Sequence, residues 1–490
     1  MKRSHLILLG LVLLIGLFFR SYQAVERFEF AHDGDLYSWI FKDIVVNHHF
    51  RLIGQLTSAP GIFIGGLFYY LLIPFFLFFN MDPIGVILFA IIIGLLTITS
   101  YYFVFSSLFK KDVGLIAAFL YATLLSTINF DRWVVPTITT NLWVIWYFYT
   151  VIKLARGEYK ILILAGILIG LIWHVHLALL PTLIAIPAAI FVSKKLPNKK
   201  QVFIFLLSFF ITSLPLIIFE VRHGFSQTRS LIENFFASHS GETGISKLST
   251  VLGMITKNIN TLFLSPHSLD NWMRPLFIVL ILSTAFILYR KKLLSNKEII
   301  PPAFWIIGVV GFFTFSSSLI SEYYFSNIEI IFITLVSLTL YLIYRESKIG
   351  KFLILFLLAF ILVKNIYFFT NQYIYHKGYV EKRALVDYIT MDAKNKDYPC
   401  FGISYITAPG ENVGFRYFFL LKKAHLVHPS LDVPVYNIVI PEELSLREVK
   451  QKFGHIGLIP PKKTPSKDLM KEACSEKNTN LTDPMFGYVD

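Results

Sequence analysis

The stretch "FEFAHDGDLYSW", residues 28–39, places two carboxylates, Asp33 and Asp35, either side of one glycine, next to His32 and among four aromatic residues. A carboxylate within hydrogen-bond reach of a substrate hydroxyl can take its proton and turn a poor nucleophile into an effective one. The plain alternative is structural, because aspartate is a favoured residue at a helix start. The same residue classes recur in short groups along the chain. They are Arg51, then Asp131 and Arg132 in "NFDRW", His174 and His176 in "WHVH", Glu220, Arg222 and His223 in "FEVRHGF", and Glu322 and Tyr323 in "SEYYF".

The elements that must position these residues are mostly apolar. Of 490 residues, 55% are apolar and 16% aromatic, and the mean hydropathy is +0.62. A soluble fold of that length has too little interior for so much apolar surface. Several segments approach the ~20 uncharged residues that cross a bilayer core. The net charge of +14 sits in short basic pairs between apolar runs. That pattern follows the positive-inside rule and suits anionic lipid rather than nucleic acid. "MKRSHLILLGLVLLIGLFF" has a basic start and an apolar core, but no small-residue cleavage site follows, so it reads as a retained anchor helix.

Loop charge sets the expected topology. With Lys2 and Arg3 cytoplasmic, the first helix runs outward and residues 20–60 lie outside. If 61–79 lies in the outer interface without crossing, the basic loops "FKKD", "ARGEYK", "SKKLPNKK", "YRKKLLSNKE" and "YRESKIGK" all face the cytoplasm. We therefore expect an α-helical polytopic membrane protein of about eleven spans, with one embedded helix and the N-terminus inside. The acids and histidines named above then gather at the outer face. Ionisable groups at membrane depth are costly to keep and usually functional. Two domains are expected: residues 1–370 in the membrane, and 371–490 as a small extracytoplasmic α/β domain with "CFGISYI" and "PVYNIVI" as strands. The only two cysteines, Cys400 and Cys474, both lie in that domain. A disulfide and two free thiols fit the sequence equally.

The order of features carries a resemblance. A short anchor precedes the acidic loop "HDGDLYSWIFKDIVVNHHFRLIGQLTSAPGIF", then the aromatic stretch "GGLFYYLLIPFF", then a helix running into "LFKKDVGLIAAFLYA". This resembles the GT-C glycosyltransferases of the protein O-mannosyltransferase and lipid A aminoarabinose transferase type (glycosyltransferase family 39-like), most clearly over residues 1–190. The resemblance implies an inverting transferase in the cell membrane. It would move a sugar from a polyprenyl-phosphate donor to a protein, lipid or glycan acceptor on the extracytoplasmic side. It also implies that an aspartate of the first outer loop is the base. Asp33 starts the motif and is favoured, with Asp35 the alternative because Gly34 separates the two acids. Related enzymes often carry a lysine before the proline ahead of the embedded helix. Here that position reads "TSAPG", so Arg51, Arg132 or Arg222 would hold the donor phosphate.

Each candidate has a bland counterpart. Asp131 and Arg132 suit a structural ion pair at a helix end, and Arg222 suits snorkelling to the interface. His174 and His176, two apart, point to different faces of a helix and make no i, i+4 metal pair. Glu322 with its tyrosines suits an interfacial anchor. The aromatics around Asp33 suit a sugar ring or a membrane-interface belt. No cofactor is expected; a divalent cation is compatible with several carboxylates on one face, yet no ligand spacing argues for one. Two rival functions share the membrane setting. A polysaccharide polymerase or ligase would use a large late outer loop such as 220–274. A lipid-linked sugar transporter or flippase would place its polar residues at the midplane, between repeats.

Overall fold

A computed structural model of the chain describes residues 3–57, 59–236, 244–316 and 320–480. Residues 237–243, part of the expected loop 220–274, lie outside the described residues. Seven described helices are long and apolar enough to cross a membrane: Arg3–Ser21, Gly85–Leu108, Lys199–Arg222, Met273–Arg290, Asn296–Phe315, Glu322–Glu346 and Lys348–Asn371. An eighth span arises if Lys111–Thr123 and Leu125–Arg132, which meet at 64°, count as one. Three further segments expected to span form shorter helices. Tyr159–Val175 and Leu177–Ser193 are two of them, and Thr140–Ala155 has 16 residues. The chain is a multi-pass, α-helical membrane protein. Only 11% of the Met273–Arg290 window and 17% of the Lys348–Asn371 window are buried against protein, which leaves broad apolar faces for lipid.

The stretch 61–79 does not make a span-length helix. Strands β1 (Ile53–Leu56) and β2 (Phe63–Gly65) pair antiparallel. A helix of 12 residues, Leu67–Phe78, follows with Pro74 inside it.

The chain divides into two compact units. One comprises residues 1–21, 51–68 and 90–371, and the other 22–50, 69–89 and 372–490. In the first unit the bend at Leu124 frees backbone carbonyls that a membrane interior would leave unpaired. Side chains take them up. Asn365 donates to Thr123 O at 2.7 Å, Thr127 to Tyr121 O at 2.7 Å, and Arg20 to Ala122 O at 3.3 Å. Glycines let two other helices of this unit meet closely. Cβ atoms at Gly166 and Gly170 would come within 2.1 Å of Ser208 Oγ and 2.0 Å of Thr212 Oγ1 on Lys199–Arg222. Small residues four apart bring helix backbones together in lipid, where no hydrophobic effect does so.

The second unit contains a mixed sheet of order β3-β4-β6-β5. Its strands are β3 (Gly402–Thr407), β4 (Val435–Ile440), β5 (Gln451–Phe453) and β6 (Ile456–Ile459). β3 and β4 are the two expected strands, and they run parallel. Helix Tyr379–Asn395 precedes β3. Cys400 and Cys474 form a disulfide with Cα atoms 5.6 Å apart. Cys400 is buried against Val427 and Val433.

Candidate functional site

Asp33 and Asp35 both lie in the first turn of the helix His32–Val46, whose N-cap is Ala31. Acids in a first turn are favoured by the helix dipole, and this accounts for part of their placement. Residues two apart on a helix point roughly 200° apart, so the two carboxylates have different surroundings. Asp33 keeps 35% of its side chain exposed and lies 4.0 Å from His32 Nδ1. Asp35 is only 5% exposed. Tyr37, fully buried, keeps its proton far above the ordinary phenol range through burial and the nearby charge of Asp33. It remains a hydroxyl.

The chain reaches this helix through a strained turn. Phe30 has a φ of 43°, the left-handed region that bulky residues avoid. Its ring is buried against Phe418 at 4.9 Å and Phe28 at 5.8 Å. Gly34 makes room for that ring, since a Cβ there would come within 2.9 Å of it. The glycine between the two acids therefore has a packing cause.

Residues after 371 brace the same turn. Tyr379 N–H donates to Phe28 O at 2.9 Å, and a Cβ on Gly378 would approach that oxygen to 2.5 Å. Lys382 Nζ donates to Phe30 O at 2.9 Å and Val413 O at 3.0 Å. Asp82 accepts from Tyr379 OH at 2.7 Å and pairs with Arg383 at 2.5 Å. Tyr417 donates to Met81 O at 2.9 Å and meets the Trp39 ring edge-on. At the far end of the acidic helix, buried Asp43 faces Asn47 Nδ2 at 3.0 Å and His49 Nδ1 at 2.9 Å.

The other sequence candidates belong to the first unit, where they divide into three settings. Asp131 is 1% exposed, with Arg20 at 2.5 Å and the Tyr121 hydroxyl at 2.7 Å. Arg132 donates to Phe19 O at 2.8 Å and lies over the Phe369 ring. His174, buried, faces Leu67 N–H with its Nδ1, and a Cβ on Gly65 would overlap its ring. Glu220 turns inward to cap the helix Ser226–Phe236, accepting from Gln227 N at 3.1 Å and Thr228 N at 3.0 Å. Gln227 in turn accepts from Phe63 N–H at 2.7 Å, so His174 and Gln227 both hold the β1–β2 ribbon. Arg222 and His223, from the same motif as Glu220, are exposed. His223 stacks on Phe219. The third setting is aromatic. The His176 ring lies 5.4 Å from Tyr323 and 5.2 Å from Tyr324, and Tyr323 meets half-exposed Trp133 at 6.0 Å. Glu322 pairs with Lys257, and Arg51 is partly exposed ahead of β1.

Among the described residues, one trio brings possible metal ligands together. Atoms of Glu442, Glu443 and His455, in the second unit, lie within 4.8 Å of one another. His455 Nδ1 lies 3.5 Å from a carboxylate oxygen of Glu442. Sequence reasoning missed Arg20, Gln227, Lys382 and Asp82, because each is defined by a partner far away in the chain.

No known protein family matches the sequence, and no curated protein does. Solved structures do. ArnT from Cupriavidus metallidurans bound to undecaprenyl phosphate superposes with a TM-score of 0.56 at 10% identity, covering 94% of this chain and 98% of its own. Its apo form gives 0.55 at 9% identity, with coverage of 93% and 97%. An oligosaccharyltransferase from Archaeoglobus fulgidus, solved with zinc and sulfate, aligns at 0.46 and 14% identity over 89% of this chain and 68% of its own. The ArnT likeness, at so low an identity, speaks for the fold alone. The chain has the GT-C fold that ArnT, a lipid A aminoarabinose transferase, exemplifies.

Proposed function

We propose that this protein is a membrane glycosyltransferase that moves a sugar from a polyprenyl-phosphate donor to an extracytoplasmic acceptor, with inversion. One observation carries the reading. In a chain with the ArnT fold, residues 28–46 form a braced helix start with an accessible carboxylate, Asp33, beside a buried one, Asp35. That ArnT was solved with undecaprenyl phosphate supports a lipid-phosphate donor.

In the reaction, Asp33 takes the proton of the acceptor hydroxyl as its oxygen attacks the anomeric carbon. The bond from that carbon to the phosphate oxygen breaks, and polyprenyl phosphate leaves with the electron pair. Charge gathering on the phosphate calls for a preorganised cation. Arg51, Arg132 and Arg222 are the candidates, with Arg222 exposed at a helix end. The cluster of Trp133, His176 and Tyr323 offers flat faces suited to a sugar ring. His174 and Glu220 support the β1–β2 ribbon, and Asp131 supports the helix bend, so their part in binding would be indirect. Hydroxylated protein, lipid and glycan acceptors all meet the chemistry.

The test is release of sugar from radiolabelled polyprenyl-phosphate donors by the purified full-length protein, with and without acceptor. Turnover by the protein, lowered by a factor on the order of 10² or more in Asp33→Asn, is the expected result. Donor binding and transport into vesicles with no cleavage would instead mark a transporter. The sidedness rests on loop charge. A cysteine replacing Ser430 should react with a membrane-impermeant thiol reagent in intact cells, and one replacing Ser347 should not. The opposite pattern would place the acidic helix on the cytoplasmic side.

A further inference from the structure

Lys382 is a lysine in an unusual place. It sits in the first turn of Tyr379–Asn395, is 5% exposed, and donates to two backbone carbonyls contributed by distant segments. One is Phe30 O, at the strained residue that sets the direction of the acidic helix. The other is Val413 O, beside Gly414, whose own Cβ would lie 3.1 Å from Nζ. The Phe415 ring lies 5.4 Å from the ammonium. The charges of Asp35, Glu411 and Glu29 favour its ammonium form, and that of Lys377 opposes it.

We propose that Lys382 is a positioning residue for the acidic helix, tying the Phe30 turn to the 413–415 segment through its two backbone hydrogen bonds. The segment after residue 371 is on this account a working part of the transfer centre. The proposal rests on the reading of the acidic helix given above, but its evidence is separate. One buried and one part-buried carbonyl share one ammonium. Replacing the lysine would strand the buried Phe30 carbonyl, and a stranded buried acceptor costs more than a satisfied one contributes. A lysine placed here only as a solvated charge would be exposed and would touch neither carbonyl.

Burial holds the Lys382 ammonium down to about 8, against 10.5 for an ordinary lysine. An opening that releases Lys382 to water restores the ordinary value. The open form then binds more protons than the closed form between those two values, so closure gains as pH rises through that window. A contact that does not involve Lys382 gives no such slope.

Hydrogen exchange of the full-length protein in micelles, read by mass spectrometry on peptides covering residues 28–46, tests this. In Lys382→Met these peptides should exchange roughly tenfold faster, while β4 amides stay unchanged and report an intact fold. In the wild type, protection corrected for intrinsic rate should rise roughly tenfold from pH 7.5 to 9.5, and the rise should vanish in Lys382→Met. Lys382→Gln, which keeps amide donors without charge, should recover part of the protection and none of the slope. Equal exchange in wild type and Lys382→Met, or an unchanged slope, overturns the proposal. Neither result depends on turnover, so failure of the transferase reading would show separately, in the Asp33→Asn assay.

Discussion

Asp33 and Asp131 look alike in sequence, each an acid at the margin of an apolar run, yet the fold treats them in opposite ways. Asp131 is sealed, its two oxygens taken by Arg20 and Tyr121 at the break between Lys111–Thr123 and Leu125–Arg132. Asp33 is left partly open, while its neighbour Asp35 takes the buried position. A carboxylate with both oxygens bonded inside the protein and excluded from solvent holds structure. The exposure that Asp33 keeps is the ground on which it, and not Asp131, is proposed as the base. The comparison also separates their cations. Arg20 is committed to a carboxylate, a hydrogen-bonded helix break and the Tyr121 ring. Lys382 is committed to the backbone of the turn that aims the acid.

The largest stability effect should come from breaking the sealed pair. Arg20→Met leaves Asp131 buried without its cation and should cost about 3–5 kcal/mol. Thermal unfolding in micelles measures it. An unchanged midpoint would mean that the pair is not the clamp described above. The disulfide comes next, and it should act on the second unit alone. Closing a loop of 74 residues should stabilise by about 3–5 kcal/mol through lost chain entropy. Alkylation before and after reduction should find no thiol without reductant. Gly34→Ala is the smallest change. Alanine favours a helix by about 1 kcal/mol over glycine, but here its methyl group displaces the Phe30 ring at a cost of about 1–3 kcal/mol. A slight net loss of stability is expected, and a clear gain would show that the ring is not held as the packing indicates.

The sequence made much of this architecture legible, and the reason is periodicity. Long apolar runs give the spans, and the stretch 161–192, with room for only about 16 residues per arm, forms the shorter helices Tyr159–Val175 and Leu177–Ser193. Turn formers and β-branched residues mark β3 and β4. The stretch 61–79 holds strand β2 and a helix of 12 residues that contains Pro74, shorter than its run of apolar residues. What pattern does not reveal is pairing across distance. Asp131 looks like a partner for adjacent Arg132, yet it bonds Arg20, 111 positions away. Lys382 lies in "YVEKRALVDY", an ordinary amphipathic stretch in which a lysine reads as solvent-facing. The bend at Leu124 has neither proline nor glycine to announce it. Gly34 reads as an interruption of an acidic motif until the Phe30 ring is placed against it.

The division of labour between the two acids is the central claim, and one paired assay addresses it. Asp33→Asn and Asp131→Asn are purified alongside wild type, and transfer from a radiolabelled polyprenyl-phosphate donor is measured per folded molecule, with the unfolding midpoint of each. Asp33→Asn should lower transfer by a factor on the order of 10² to 10⁴, the usual worth of a general base, with its midpoint unchanged. Asp131→Asn should lower the midpoint and leave transfer by the folded fraction near wild type. The reverse pattern, full transfer by Asp33→Asn and a stable but inactive Asp131→Asn, would contradict the account.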